Sequence, residues 1–391
     1  MWSLEWTPAA LQRLHLVHNL KQLSIALHLP LIQAAEPIQY PLRLQSVDLM
    51  LGCSASEVHR TFTGESCLRG LLSCTSLTRL TLRLVAPFNI VLPLLGQLKQ
   101  LRRLSMYANE YRFYTADMMQ ALKTLPQLEM LELRHLSENG DGPSSWKSDW
   151  MVPLLTAPHQ LQHLRRLKFD DGLWDVPTGM LLSSLHSLTA LDLRPFADYR
   201  LLPLLSSFPQ LRSLSLHLSS YTHLNQEDEE DVDPADPAVV AAGELVFDRG
   251  VARLSAIVPH LAHCSLTHLC FDRVRCDDTS LAALCASQPR LEVLYLNQSL
   301  VASLLPLSTL TQLRSFGIDF AEHTDEPHSF NQLIRCKMLD SLYLSGATPD
   351  WSESQQQQLH PPSSLLPHLQ QFFFRRKTSS VGCHFTLGDL E

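Results

Sequence analysis

Aromatic residues make up only 7% of the 391 positions and charged residues only 18%, against 45% hydrophobic. A sizeable core is expected from that balance, and leucine must fill most of it because large rings are scarce. Long apolar runs are missing too. Stretches such as "NIVLPLLGQL" stop well short of the ~20 residues that cross a bilayer, so no membrane-spanning segment is expected. The opening "MWSLEWTPAALQRLHL" carries Glu5 early and lacks a basic start and a small-residue cleavage site, which argues against a secretory signal. Nine cysteines, scattered without a CxxC pair, do not suggest a disulfide framework and suit a reducing compartment, cytoplasm or nucleus.

Motifs of catalysis are also absent. No GxSxG, GxxxxGK, GxGxxG or HExxH occurs, so neither an enzyme nor a cofactor site is expected. His260, His263, Cys264, His268, Cys270 and Cys276 crowd together in sequence, yet their spacing matches no standard zinc pair, and His260 and His263 fall in a core register. No metal site is expected there. A net charge of −8 argues against a surface devoted wholly to nucleic acid.

What the chain does have is a rhythm. In "LLSSFPQLRSLSLHLSS", Leu205, Phe208, Leu211 and Leu214 stand three apart, as on a tight helical turn, whereas Leu214, Leu216 and Leu218 stand two apart, as on a half-buried strand. Apolar residues at relative positions 0, +3 and +5 recur thirteen times, from Leu20, Leu23 and Ile25 to Leu369, Phe372 and Phe374. The first residues of the copies are Leu20, Leu44, Leu77, Leu101, Leu128, Leu164, Leu188, Leu211, Leu266, Leu291, Leu313, Leu339 and Leu369. A second register at −6 and −3 holds Leu95 and Leu98, Leu122 and Leu125, Leu182 and Leu185, Leu205 and Phe208, and Leu307 and Leu310. Each copy is thus expected to be one strand and one helical return. Such a unit cannot bury its own apolar face and is stable only when stacked on neighbours.

With "LRSLSL", "LRRLSM", "LTALDL" and "LEVLYL" as its L-x-x-L-x-L segments, the chain resembles the leucine-rich-repeat superfamily over about residues 20–374. Its variable repeat length and helical returns are most similar to the intracellular ribonuclease-inhibitor-like and F-box-associated style. The fold this implies is α/β: a horseshoe solenoid with parallel strands on the concave face and short helices or turns on the convex face. The asparagine or cysteine expected at +8 is nearly missing, with Asn109 fitting but Gly172, Ser219 and Ser299 standing elsewhere, so irregular turns are expected after the strands.

Residues 1–19 read as a cap or truncated repeat, 20–374 as the solenoid, and 375–391 as a tail. Polar insertions are expected near 137–150, 225–238 and 346–364; the second carries seven carboxylates between Glu227 and Asp236. The step of 55 from Leu211 to Leu266 has room for a degenerate repeat, and "AVVAAGELVFDRGVARLSAIVPHLAHC" within it reads as helix.

Residues at +2, +4 and +6 should face the open side of the sheet. From the copy at Leu77 to that at Leu188 these columns hold seven cations, Arg79, Arg83, Arg103, Arg134, Arg166, Lys168 and Arg194, against three carboxylates, with Tyr107 among them. Later copies turn neutral and aromatic, with His268, Tyr295 and Tyr343. These eleven residues are the candidate partner-binding set, Tyr107 and Tyr295 being anchors of the kind enriched at binding hot spots. The partner expected is a protein with an acidic or phosphorylated surface, not a membrane or nucleic acid. The resemblance implies a noncatalytic interaction scaffold, with the substrate-recognition arm of a ubiquitin ligase as its specific version. No F-box is visible before Leu20. An inhibitor that masks an enzyme, or a GTPase-activating repeat protein, is the alternative.

Overall fold

A computed structural model describes residues 13–28, 38–52, 65–84, 92–108, 116–135, 151–156, 161–170, 176–196, 199–218, 247–248, 251–320, 333, 335–346 and 370–376. The chain divides into two compact units, Met1–Leu188 and Thr189–Glu391. The three polar insertions and the tail fall almost wholly outside the described residues, as do residues 1–12 of the expected cap.

In the first unit six strands pair in parallel and in chain order: β1 (Gln22–His28), β2 (Ser46–Gly52), β3 (Arg79–Leu84), β4 (Arg103–Ala108), β5 (Met130–His135) and β6 (Arg166–Asp170). Parallel neighbours need a crossover. It is supplied by α1 (Glu65–Leu71), a 3-10 turn (Leu92–Gln97), α2 (Ala116–Leu122) and α3 (Val152–Leu155), and α4 (Val176–Leu182) follows β6. Alternation places the +3 residues Leu23, Val47, Leu80, Leu104, Leu131 and Leu167 in one buried rung; Ile25, Leu49, Leu82, Met106, Leu133 and Phe169 form the next.

The second unit repeats the plan with β7 (Ala190–Phe196), β8 (Ser213–Leu218), β11 (His268–Asp272), β13 (Val293–Val301), β14 (Ser315–Phe320), β15 (Ser341–Gly346) and β16 (Gln371–Arg376), parallel in that order. Strands β9 (Phe247–Asp248), β10 (Val251–Arg253) and β12 (Val274–Cys276) form a small side sheet against the far end of β13. Returns are made by 3-10 turns over Tyr199–Ser207 and Leu305–Thr309 and by α5 (Leu254–Leu261) and α6 (Asp278–Ser287). All thirteen copies therefore fall on strands of one leucine-rich-repeat α/β solenoid plan. The change of rhythm after Phe208 is the passage from 3-10 turn to β8. The −6 and −3 pairs read from the sequence are buried, as are Cys74 and Cys336.

One backbone device recurs at each step within the two units. The carbonyl at +1 of a copy accepts from two successive N–H groups of the next: Gln45 and Ser46 donate to Lys21, and Arg102 and Arg103 donate to Thr78. In the second unit Thr267 and His268 donate to Arg212, and Asp340 and Ser341 donate to Arg314. Where a regular +8 ladder is missing, side chains before the strands bond to the preceding coil. Thr124 Oγ1 donates to Gly96 O (3.1 Å), Cys336 Sγ to Leu307 O (3.3 Å) and Gln288 Nε2 to Leu261 O (2.7 Å). At +8 itself, Ser299 is buried and accepts from the Val274 amide at 3.3 Å.

Two expectations are corrected between Leu211 and Leu266. Strand β8 pairs directly with β11, Leu214 opposite Leu269, so no repeat strand intervenes. The segment read as one helix also contains the β9–β10 hairpin, and among its described residues the helix is α5, from Leu254. Phe247 and Val251 favour strand, and Asp248 and Gly250 are turn formers. The core register of His260 and His263 is overturned as well: His263 is exposed and His260 half-buried. As an α-helix, α5 buries Leu254, Ile257, Val258 and Leu261, which rolls His260 off the core stripe, and His263 falls in the turn beyond the helix.

Candidate functional site on the open face of the first unit

Strand register brings the predicted cations of the first unit onto one face. Arg79, Arg103, Met130 and Arg166 form the +2 row; Thr81, Ser105, Glu132 and Lys168 the +4 row; Arg83, Tyr107, Arg134 and Asp170 the +6 row. Neighbouring parallel strands lie about 4.8 Å apart, so residues in a row are direct neighbours.

The centre of this face is neutralised from within. Arg83 Nε and Nη2 each donate to Asp48 at 3.3 Å, one to each carboxylate oxygen. Glu132, only 5% exposed, accepts from Ser105 Oγ (2.8 Å), Tyr107 Oη (3.2 Å) and Arg134 Nε. The Tyr107 ring has the guanidinium carbon of Arg83 at 5.3 Å and that of Arg134 at 5.5 Å from its centroid. Such contacts contribute about 0.5–1 kcal/mol at exposed sites. Burial, with the neighbouring Glu132 charge, raises the Tyr107 pKa above the usual phenol value and keeps its hydroxyl a donor. Tyr107 and the two arginines are thereby held in one orientation before any partner arrives.

Arg79 and Arg103 are different. They stand opposite each other on β3 and β4, and among the described residues neither side chain forms an ion pair or hydrogen bond. Like charges directly opposite destabilise a strand pair, so this pair gains from an incoming anion. Arg166 is exposed and Lys168 half-buried on β6. Arg194 lies on β7 in the second unit, and its side chain falls outside the described residues.

The second unit does not present its aromatics as the sequence suggested. Tyr295 is only 2% exposed: it packs with Cys270, Val293 and Tyr343, and its hydroxyl lies 2.9 Å from Ser315 Oγ. It fills space above Gly317, where a Cβ would come within 2.1 Å of its ring, so it is an interior group and not an open anchor. Tyr343 sits edge-on to it at 5.8 Å and donates to Gln371 Oε1 at 3.0 Å. His268 is half-buried, with Nδ1 2.8 Å from Thr267 Oγ1.

Asp48 was missed because the columns were read only from Leu77 onward, although it occupies +4 of the copy at Leu44. Glu132 was counted merely as a charge, and its role as hub of three donors needed coordinates. Among the described residues no three His, Cys, Asp or Glu side chains are placed to hold a metal ion, and no helix is long and apolar enough to cross a membrane.

No protein-family model matches the chain, and no curated relative matches it. Solved structures resemble it at low identity. An internalin, inlF, from Listeria monocytogenes is 14% identical with a TM-score of 0.44, over 92% of this chain and 82% of that one. A leucine-rich-repeat protein of Leptospira interrogans is 13% identical with a TM-score of 0.37, over 92% and 97%. The TLR13–ssRNA13 complex gives 15% and 0.41, over 82% of this chain and 46% of that one. The leucine-rich-repeat fold of the present chain rests on its own strand register and buried rungs.

Proposed function

We propose that the protein is a noncatalytic interaction scaffold that docks a protein partner of acidic or phosphorylated surface on the open face of its first unit. The observation that carries this reading is the register-matched pair Arg79 and Arg103, without a counter-ion among the described residues and beside an Arg83–Tyr107–Arg134 stack that is already fixed. An incoming carboxylate or phosphate completes the pair, and the preset stack lowers the ordering cost of binding. The finer version, a substrate-recognition arm of a ubiquitin ligase in a reducing compartment such as cytoplasm or nucleus, draws on repeat style and on nine cysteines scattered without a CxxC pair.

The test is affinity capture with mass spectrometry, comparing the native chain with the Arg79→Glu, Arg103→Glu double variant after circular dichroism has matched their folds. Partners that vanish with the variant and elute from the native chain at raised salt support the reading; a cullin-ligase adaptor among native captures supports the finer version. An unchanged partner set sinks the assignment of the face.

A further inference from the structure

Charge on the open face of the first unit does not close. From β2 to β5 the +2, +4 and +6 columns hold four cations, Arg79, Arg83, Arg103 and Arg134, and two carboxylates, Asp48 and Glu132. Asp48 takes the Nε and Nη2 donors of Arg83, and Glu132 is taken by Arg134 together with the hydroxyls of Ser105 and Tyr107. Glu129, just before β5, is held by Arg102 at 3.1 Å. Each of these carboxylates thus has its own arginine. The two guanidiniums left over are the register partners Arg79 and Arg103.

The surroundings of the pair are uncharged along its own row. Ser46 stands opposite Arg79 on β2, and Met130 stands opposite Arg103 on β5, so neither flank supplies an anion. Thr81, half-buried, lies two residues beyond Arg79 on the same face. Among the described residues neither the Ser46 nor the Thr81 hydroxyl forms a hydrogen bond, so two more donors stand beside the two forks. Arg79 is exposed and Arg103 half-buried, which leaves the pair within reach of a partner yet partly drawn out of water.

The number of oxygens and charges decides what fits. A carboxylate carries one charge and two oxygens, which a single guanidinium fork satisfies. It would leave the second arginine unneutralised against its neighbour across the strands. A phosphomonoester carries about −1.5 to −2 charges at neutral pH and three acceptor oxygens, enough for both forks. We infer that Arg79 and Arg103 together receive one phosphate dianion, carried on a phosphorylated side chain of the partner, so that docking is conditional on phosphorylation. This rests on the docking face proposed above and narrows its partner from acidic to phosphorylated. The row is a strand surface rather than a cleft, whereas small ligands bind in concave sites that bury most of them. The anion therefore arrives on a chain that covers its neighbours.

The test passes the purified protein over degenerate peptide pools that differ only in one fixed central residue: phosphoserine, phosphotyrosine, glutamate or serine. A phosphorylated pool is expected to bind roughly tenfold more tightly than the glutamate pool, the scale of one added charge-assisted fork. Arg79→Gln and Arg103→Gln, each folded by circular dichroism and each leaving one fork, should bring that preference near parity without abolishing binding. In the capture experiment above, phosphatase treatment of the lysate should remove the same partners as the Arg79→Glu, Arg103→Glu variant. Equal binding of the phosphorylated and glutamate pools, or none to either phosphorylated pool, overturns the inference. Captured partners that depend on both arginines yet survive phosphatase overturn it too, and the docking face survives that result. Partners indifferent to both arginines sink the face and the inference together.

Discussion

Gly317 lacks a side chain where Tyr295 needs the room. A methyl group there would come within 2.1 Å of Tyr295 Cδ1 and 2.5 Å of Cε1, so Gly317→Ala forces the ring to move. Overpacking of this kind costs roughly 1–3 kcal/mol. Urea unfolding should show that loss, and Tyr295→Ala in the same chain should recover part of it; strictly additive effects would contradict the packing. Asp277 is the second residue-scale case. It caps α6, accepting from the Ser280 amide at 2.7 Å, and hydrogen bonds from the Thr279 hydroxyl and that amide hold its carboxyl below the usual range. A folded-state pKa below the unfolded value contributes stability above the unfolded pKa, and this is lost as pH falls through the folded one. Asp277→Ala should therefore cost about 1 kcal/mol at pH 7. The gap between variant and parent should close in acid, and Asp277→Asn should stay near parental at pH 7.

At the scale of the element, Gln288 joins two coils. Its amide nitrogen reaches the Leu261 carbonyl at the end of α5, and its Oε1 accepts from the Leu266 amide at 2.9 Å, both buried. Gln288→Leu keeps the volume but strands two backbone groups at roughly 1–3 kcal/mol each. Faster hydrogen exchange at the Leu266 amide is the expected signature; unchanged protection there would mean that the amide does not staple the coils. The repeat pattern gave Gln288 a place, the −3 position of the copy at Leu291, but there the pairs read above hold Leu or Phe, and nothing in the spacing said that a polar side chain would bond to the coil before it. The same limit explains the misreading of α5. Periodicity located its apolar residues, but a 3-10 return and an α-helical return turn by different angles per residue, and only coordinates tell that the helix rolls His260 outward and stops before His263.

Across the whole molecule, the strands were legible because a parallel repeat writes its core as leucine at fixed spacing; Leu104 and Leu294 are buried where that spacing puts them. The face was legible in part. Its columns could be named, but the Asp48–Arg83 pairing joins residues 35 apart, and the burial of Tyr295 depends on an absent side chain in the following copy. The thiols give a test at this scale. Burial pushes Cys264 and Cys336 up to about 11 and Cys285 up to about 12. Thiolate is the reactive form. At pH 8 iodoacetamide should spare these cysteines in the native protein and label them in urea. Rapid native labelling of Cys285 would show its coil opening freely.

The shared +1 carbonyl has a consequence for tolerated chain length. Thr189 receives the copy 23 residues on, and Arg212 receives the copy 55 residues on, through the same two N–H groups. Closing the longer excursion costs only about 0.8 kcal/mol more by loop entropy. Alignment is reset at each coil by the backbone rather than carried along by counting residues. The solenoid can accept inserted peptide between coils as a spiral binding accepts extra pages, each page punched at the same holes, whatever its width.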